Sequence, residues 1–328
     1  MITSARAIGS RRYNFRMQKP TIIVHGGAGA IDLDIWQEFC QGSHEAAQVG
    51  QRLLADGASA LDAAIAATRF LEDHPTFNAG TGSGLNRDGF VQCDALVMTD
   101  DRNCGAVAGI YGVRNPVDLA RVVLEQTPHV LIVGTGAEEL ARAQGIATCD
   151  PAEMVVERRR RAWEKATAEQ RGFGIDPELL LKHSPPPGPT SDTVGACALD
   201  SQGHLAVASS TGGILLKLPG RAGDTPVVGG GSYCGPAGAT SCTGHGEAAM
   251  RVCLAKYAYD LLEHGAGAQE TAERAVDYLV AAVAGNAGLI VLDRFGNRAW
   301  ATSTRRISVG VPEGLTEDRQ GFRPAPSP

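Results

Sequence analysis

Apolar residues along this chain come in short runs that end at clusters of glycine. Such punctuation predicts many strands closed by tight turns. TIIVHGGAGA (21–30) reads as a strand running into a glycine turn, and GFVQCDALVMTD (89–100) and CGAVAGIYGV (104–113) as further strands. Ser59 with Asp62 has the form of a capping box opening the helix ALDAAIAATRFLED, which stops ahead of Pro75. Asn115 and Pro116 open a second helix, VDLARVVLEQ. Residues 152–188 change character. AEMVVERRRRAWEKATAEQRG is a charged helical pattern whose four consecutive arginines read as a solvated face. It gives way to HSPPPGPTSD, which its prolines keep out of helices and central strands, so an exposed linker is expected over about 152–192. A hairpin follows, then a glycine-rich segment (229–246), helices over about 246–264 and 269–284, and a final hairpin, GLIVLDRFGNRAWATST. No internal repeat is evident. Two blocks of strands, each with its own helices, predict packed sheets covered by helices.

Composition narrows the function classes. A chain of 328 residues is long enough to bury a sizeable core, and no apolar run approaches the length that spans a bilayer. The formal net charge of −6 hides an asymmetry. Arg6, Arg11, Arg12, Arg16 and Lys19 face no acid in the first 20 residues, leaving 25 basic against 36 acidic residues beyond them. So acidic a body argues against a nucleic-acid partner. Without an apolar segment behind it, the basic head is expected to be a disordered extension, or an upstream start ahead of Met17, rather than a twin-arginine signal. The eight cysteines (40, 93, 104, 149, 197, 234, 242 and 253) show no C-x-x-C spacing and read as reduced, mostly buried thiols in a cytoplasmic protein.

Candidate chemistry begins at the seam between linker and strand, where Thr193 heads TVGACALD. The three-residue loop SQG, with Gly203 at its left-handed position, joins this run to HLAVASST as a hairpin. Asp200 then pairs with His204, and Thr193 falls opposite Thr211. Cross-strand partners bring their Cβ atoms to about 4.5–5.5 Å, so two hydroxyls would meet at one end of a sheet. A one-residue slip would part them. A threonine hydroxyl is a poor nucleophile without a base, and G-x-S-x-G is absent. A threonine that becomes the first residue of a chain carries its own base, an α-amine with a pKa of about 7.7–8.0. That requires a cut between Asp192 and Thr193. Taken alone, Thr193 reads first as a structural residue opening a strand, and only the features that follow favour the nucleophile. Arg221 and Asp224, on the loop LPGRAGDTP, suit either an ordinary ion pair or the grip on an amino-acid zwitterion. Thr243 and Gly244, ahead of a helix, suit either a cap or a site for a developing oxyanion. The glycine loops fail G-x-G-x-x-G and no G-x-x-x-x-G-K-[ST] exists, which removes nucleotide binding from the leading functions.

From about Pro20 to Thr304 the chain resembles the plant-type asparaginase/isoaspartyl peptidase family of N-terminal-nucleophile hydrolases. The pieces that carry the resemblance are IIVHGGAGA, ALDAAIAATRFLEDHPTFNAGTGSGLNRDG, NPVDLARVVLEQTPHVLIVGTGAEELA, DTVGACALD, STGG, GRAGDTP and TGHGE, in this order. It implies an α+β fold, a four-layer αββα sandwich, in a single domain over 20–328 behind the basic extension 1–19. It also implies a precursor that cuts itself into 1–192 and 193–328, with Thr193 the nucleophile in both self-cleavage and turnover. The substrates implied are L-asparagine, through its side-chain amide, and β-aspartyl dipeptides. Thr211 would hydrogen-bond the nucleophile, Arg221 and Asp224 would hold the substrate's amino-acid end, and Thr243 with Gly244 would form the oxyanion hole. Asn78 matches a residue lining the active site. LEDHPTFNAGT is similar to a loop that binds structural sodium through main-chain oxygens, here those of Leu71, Glu72, His74, Phe77, Ala79 and Thr81. No cofactor for catalysis and no membrane partner is implied, and the assembly would be a homodimer of processed αβ units.

The chain also departs from the family pattern. Asp192 stands where many members have Gly, as in glycosylasparaginases and the threonine-aspartase proteases, which are the alternative activities. GGGSYCGPAGATSC replaces a more acidic loop ahead of Thr243, and Arg305 and Arg306 replace a more usual apolar end.

Overall fold

The computed structural model describes residues 19–29, 31, 33–169 and 193–315. The basic head, the proline stretch and Asp192 lie outside them. Among the described residues the strands are β1 (Thr21–Gly29), β2 (Cys93–Thr99), β3 (Cys104–Ile110), β4 (Leu131–Val133), β5 (Val194–Leu199), β6 (Leu205–Thr211), β7 (Ser232–Gly235), β8 (Gly238–Gly244), β9 (Ala287–Asp293), β10 (Arg298–Thr302), β11 (Arg306–Val311) and β12 (Gly314–Leu315). The helices are α1 (Leu33–Ala55), α2 (Ala60–Asp73), α3 (Pro116–Gln126), α4 (Gly134–Ala143), α5 (Glu157–Ala168), α6 (Gly246–Val252), α7 (Leu254–Glu263) and α8 (Ala268–Val283).

Local chemistry explains most of these boundaries. The α2 helix begins where the Ser59 hydroxyl accepts the Asp62 N–H at 3.1 Å, and it ends before Pro75. The β5–β6 hairpin has the expected register, Val194 opposite Ser210 through Leu199 opposite Leu205. At its turn the Asp200 N–H donates to the His204 carbonyl at 3.0 Å, and Gly203 has φ +86°. Three expectations change. The first strand does not stop at its glycines but runs through them to Gly29, with a bulge between His25 and Gly27. The helix expected over 246–264 breaks at Cys253, whose φ of +49° separates α6 from α7. The arginine run is not wholly solvated: Arg158 donates to the Thr76 carbonyl at 2.7 Å and Arg159 to the Gly82 carbonyl at 2.7 Å, while Arg161 pairs with Glu157 in solvent.

The fold class is α+β. One eight-stranded sheet runs β12-β11-β1-β5-β6-β2-β3-β4 and one four-stranded sheet β10-β9-β8-β7. Strands from before and after the linker alternate in the larger sheet, so the expected separation into two blocks does not hold. Alternation along β1 sorts its side chains. Ile22 and Val24 join a core with Phe39, Leu71 and Val117 from α1, α2 and α3, whereas Ile23 joins Val207, Ile290 and Leu292, a core shared by both sheets. A third core sets Leu289 and Val291 of β9 against Leu254, Val276 and Leu279 of α7 and α8. None of the eight cysteines forms a disulfide. Cys93, Cys197, Cys234 and Cys242 are buried and Cys253 is exposed.

Candidate active site

The ends of the central strands β5 and β6 bring two hydroxyls together. Thr193, 3% exposed, donates from Oγ1 to Thr211 Oγ1 at 3.3 Å. Thr211 Oγ1 also accepts the Gly213 N–H at 3.0 Å, which fixes its rotamer. Asn78 braces the same turn: its Nδ2 donates to the Gly213 carbonyl at 2.7 Å and its Oδ1 accepts the Gly84 N–H at 2.6 Å.

On the neighbouring strand, His25 pairs with Gly195, two residues from Thr193. Its Nε2 lies 2.8 Å from Ser241 Oγ, and a Cβ at Gly195 would meet these two groups at 2.7 and 2.2 Å. Only glycine leaves room for that pair. Complete burial pushes the imidazole down to about 3, against a weaker upward pull from the Thr193 backbone, so His25 is neutral and not an acid–base candidate near pH 7.

Arg221 and Asp224 do not form the loop ion pair that their spacing allowed. Arg221 instead grips Glu247 in bidentate fashion, Nε to Oε1 at 2.9 Å and Nη2 to Oε2 at 2.8 Å. Asp224 is 4% exposed, and its Oδ2 has no hydrogen-bond partner among the described residues. Burial raises its pKa to about 6, with Arg221 pulling the other way. A Cβ at Gly246 would lie 2.8 Å from Asp224 Oδ1 and 3.1 Å from Arg221 Nη2, so opposite charges flank one small space. Thr243 and Gly244 end β8 next to it. The Thr243 hydroxyl accepts the Ala28 N–H at 3.2 Å, and Gly244 has φ +131°, a conformation that suits glycine.

The loop after α2 folds back on itself. Thr81 N–H donates to the Glu72 carbonyl at 2.8 Å, and a Cβ at Gly82 would lie 2.3 Å from the Pro75 and 2.9 Å from the Phe77 carbonyl oxygen. Of these two oxygens only that of Phe77 belongs to the set expected for sodium, although neutral carbonyl oxygens are the donor type a hard monovalent cation takes. The oxygens of Leu71, Glu72 and His74 each already accept one backbone N–H, which leaves a second lone pair free. No group of three or more His, Cys, Asp or Glu side chains among the described residues has metal-holding geometry. The Glu72 side chain turns inward to accept the Val117 N–H at 3.0 Å, and burial raises its pKa to about 8.

An asparaginase family model matches residues 18–319. The chain belongs to the asparaginase family. It is 41% identical over 310 residues to a plant-type L-asparaginase of Pyrococcus furiosus, an alignment covering 92% of this chain and 99% of that one. It is 41% identical over 302 residues to an isoaspartyl peptidase/L-asparaginase of Bos taurus, covering 91% and 94%. The human isoaspartyl peptidase/L-asparaginase is 40% identical over 281 residues, covering 85% and 88%. In this asparaginase-family chain, sequence reasoning missed Glu247 and His25 as partners around the site, and of Glu72 it expected the main-chain oxygen but not the buried side chain. Glu247 and His25 both left a signal, since Glu247 follows Thr243 and Gly244 within TGHGE and His25 lies within IIVHGGAGA. No helix among the described residues is long and apolar enough to cross a membrane.

Proposed function

We propose that the chain is a self-cleaving threonine amidohydrolase acting on the side-chain amide of L-asparagine and on β-aspartyl dipeptides. The observation that carries this reading is the Thr193–Thr211 hydroxyl pair near a guanidinium and a buried carboxylate, one of whose oxygens has no hydrogen-bond partner among the described residues. The names of the relatives support the substrate class. Maturation starts with the Thr193 hydroxyl attacking the Asp192 carbonyl carbon. The peptide C–N bond breaks as the ester forms, which frees the α-amine of Thr193, and water then hydrolyses the ester to regenerate the hydroxyl and release the Asp192 carboxylate. In turnover the hydroxyl attacks the substrate's β-carbonyl while the amine accepts its proton and returns it to the departing ammonia or amine. Water then cleaves the β-aspartyl ester. The Thr243 hydroxyl and the Gly244 N–H stabilise the oxyanion, each by about 2.7–4 kcal/mol if comparable to other such donors. Arg221 takes the α-carboxylate and Asp224 the α-ammonium, and the Thr211 hydroxyl, held by Gly213, orients the nucleophile.

The wider reading is a single domain cut into 1–192 and 193–328, in a four-layer αββα sandwich, and the three cores described above support that layering. A homodimer of αβ units in the cytoplasm completes it. Sodium, held by the oxygens of Leu71, Glu72, His74, Phe77, Ala79 and Thr81, would stiffen the loop carrying Asn78.

Asp224 gives a pH test. Its charge is lost as pH falls through about 6, so a bound ammonium loses its counter-charge. Affinity for L-aspartate is expected to drop by up to about tenfold per pH unit below that point, and Asp224→Asn to flatten the profile, as read by calorimetry. The function itself is tested by mass spectrometry of the purified protein together with assays on asparagine, β-aspartyl-leucine and a glycosylated asparagine. Two fragments, one starting at Thr193, and turnover of the first two substrates are expected. Turnover of the glycosylated substrate alone, or full activity from an uncut chain, overturns the proposal.

A further inference from the structure

Lysine is almost never fully buried without a partner, yet Lys217, in LLKLPGR, is 1% exposed. The turn before it throws the side chain inward: Leu216 has φ +60° and donates its N–H to the Leu85 carbonyl, and the Lys217 N–H returns to the Ile214 carbonyl. Nζ donates to the Gln92 carbonyl at 2.6 Å. An ammonium has three N–H donors, and this is its one hydrogen bond to the described residues. A buried charge with one hydrogen bond is costly to keep, and the buried Asp94 carboxylate offsets only part of that cost. Burial pushes its pKa down, and Asp94 pulls it back up.

The position of this cation is informative. A Cβ built on Gly213 would lie 2.9 Å from Lys217 Nζ and 3.3 Å from Arg221 Nη1, so the two nitrogens are at most 6.2 Å apart, the sum of those distances. Glu247 holds Nε and Nη2 of Arg221, which leaves Nη1 turned toward Gly213 and Gly223. Gly213 is the residue whose N–H and carbonyl hold Thr211 and Asn78. Two like charges thus converge at Gly213, whose N–H holds Thr211, the hydroxyl partner of Thr193, and each has donors to spare.

We propose that Lys217 and Arg221 together recognise the substrate's α-carboxylate, Lys217 being a specificity-determining cation of the site. This rests on the amidohydrolase reading above. The test compares L-aspartate with β-alanine, which is the same molecule without the α-carboxylate. Calorimetry is run on cleaved wild-type protein and on Lys217→Met and Lys217→Gln, each first checked for cleavage. The variants are expected to bind L-aspartate about 10- to 100-fold more weakly, the effect of losing a charge-assisted hydrogen bond, and β-alanine within about twofold of wild type. Equal losses for both ligands, or no loss for either, overturn the proposal. So does failure of both variants to cleave, because Lys217 then belongs to the framework. A wild-type protein that discriminates the two ligands yet hydrolyses neither asparagine nor β-aspartyl-leucine rejects the amidohydrolase reading instead.

Discussion

Thr193→Ala is expected to yield one uncut polypeptide with no measurable release of ammonia from asparagine. The side chain serves twice in the proposed scheme, first against the peptide bond in front of it and then against substrate. Without it there is neither a nucleophile nor a freed α-amine. Removing the nucleophile of a comparable hydrolase costs about 10⁶-fold, and losing the base with it leaves nothing to recover. The fold should survive, because the 3.3 Å hydrogen bond to Thr211 contributes only about 1 kcal/mol. Thr193→Ser keeps a hydroxyl and should still cut and turn over. Gel electrophoresis with an ammonia assay reads both variants. A cleaved or active alanine variant would falsify the scheme.

Asp224→Ala is expected to separate the two uses of Thr193. Truncating one partner of a buried charge pair costs about 2–5 kcal/mol, so kcat/KM for asparagine should fall about 30- to 4,000-fold. Cleavage should continue, since no α-ammonium takes part in it. Stability gives a further readout. A buried carboxyl whose pKa is raised to about 6 favours the folded state when protonated, and that advantage is lost as pH rises from about 4 through 6. Above that range ionised Asp224 opposes folding by about 3 kcal/mol, taking its shift at 1.36 kcal/mol per pH unit. The alanine variant should therefore lack this slope and be at least as stable near neutral pH by thermal denaturation. Unchanged turnover in the variant would remove Asp224 from substrate binding.

What could be read from the sequence was local. The β5–β6 hairpin has a three-residue loop with a left-handed glycine, so its register, and with it the Thr193–Thr211 meeting, followed from the span between His204 and Asp200. The cap of α2 and the proline start of α3 were legible for the same reason. What stayed hidden depends on contacts across the chain. His25 reaches Ser241 across 216 positions, and Lys217 reaches Gln92 across 125. No periodicity encodes such pairings. The α1 helix, Leu33–Ala55, was missed because Gly42, Ser43 and Gly50 dilute its apolar stripe. Those small residues are what close approach demands. A Cβ at Gly50 would meet Ile22 at 2.4 Å, and one at Gly42 would meet Phe77 at 2.7 Å.

In the larger sheet β1 lies between β11 and β5, and β2 is joined to β6. Severing the backbone ahead of Thr193 would therefore leave three hydrogen-bonded seams between the resulting pieces: β11 with β1, β1 with β5, and β6 with β2. The pieces would stay clasped and melt together, and once pulled apart in denaturant they would have to thread back between one another's strands to regain the native state.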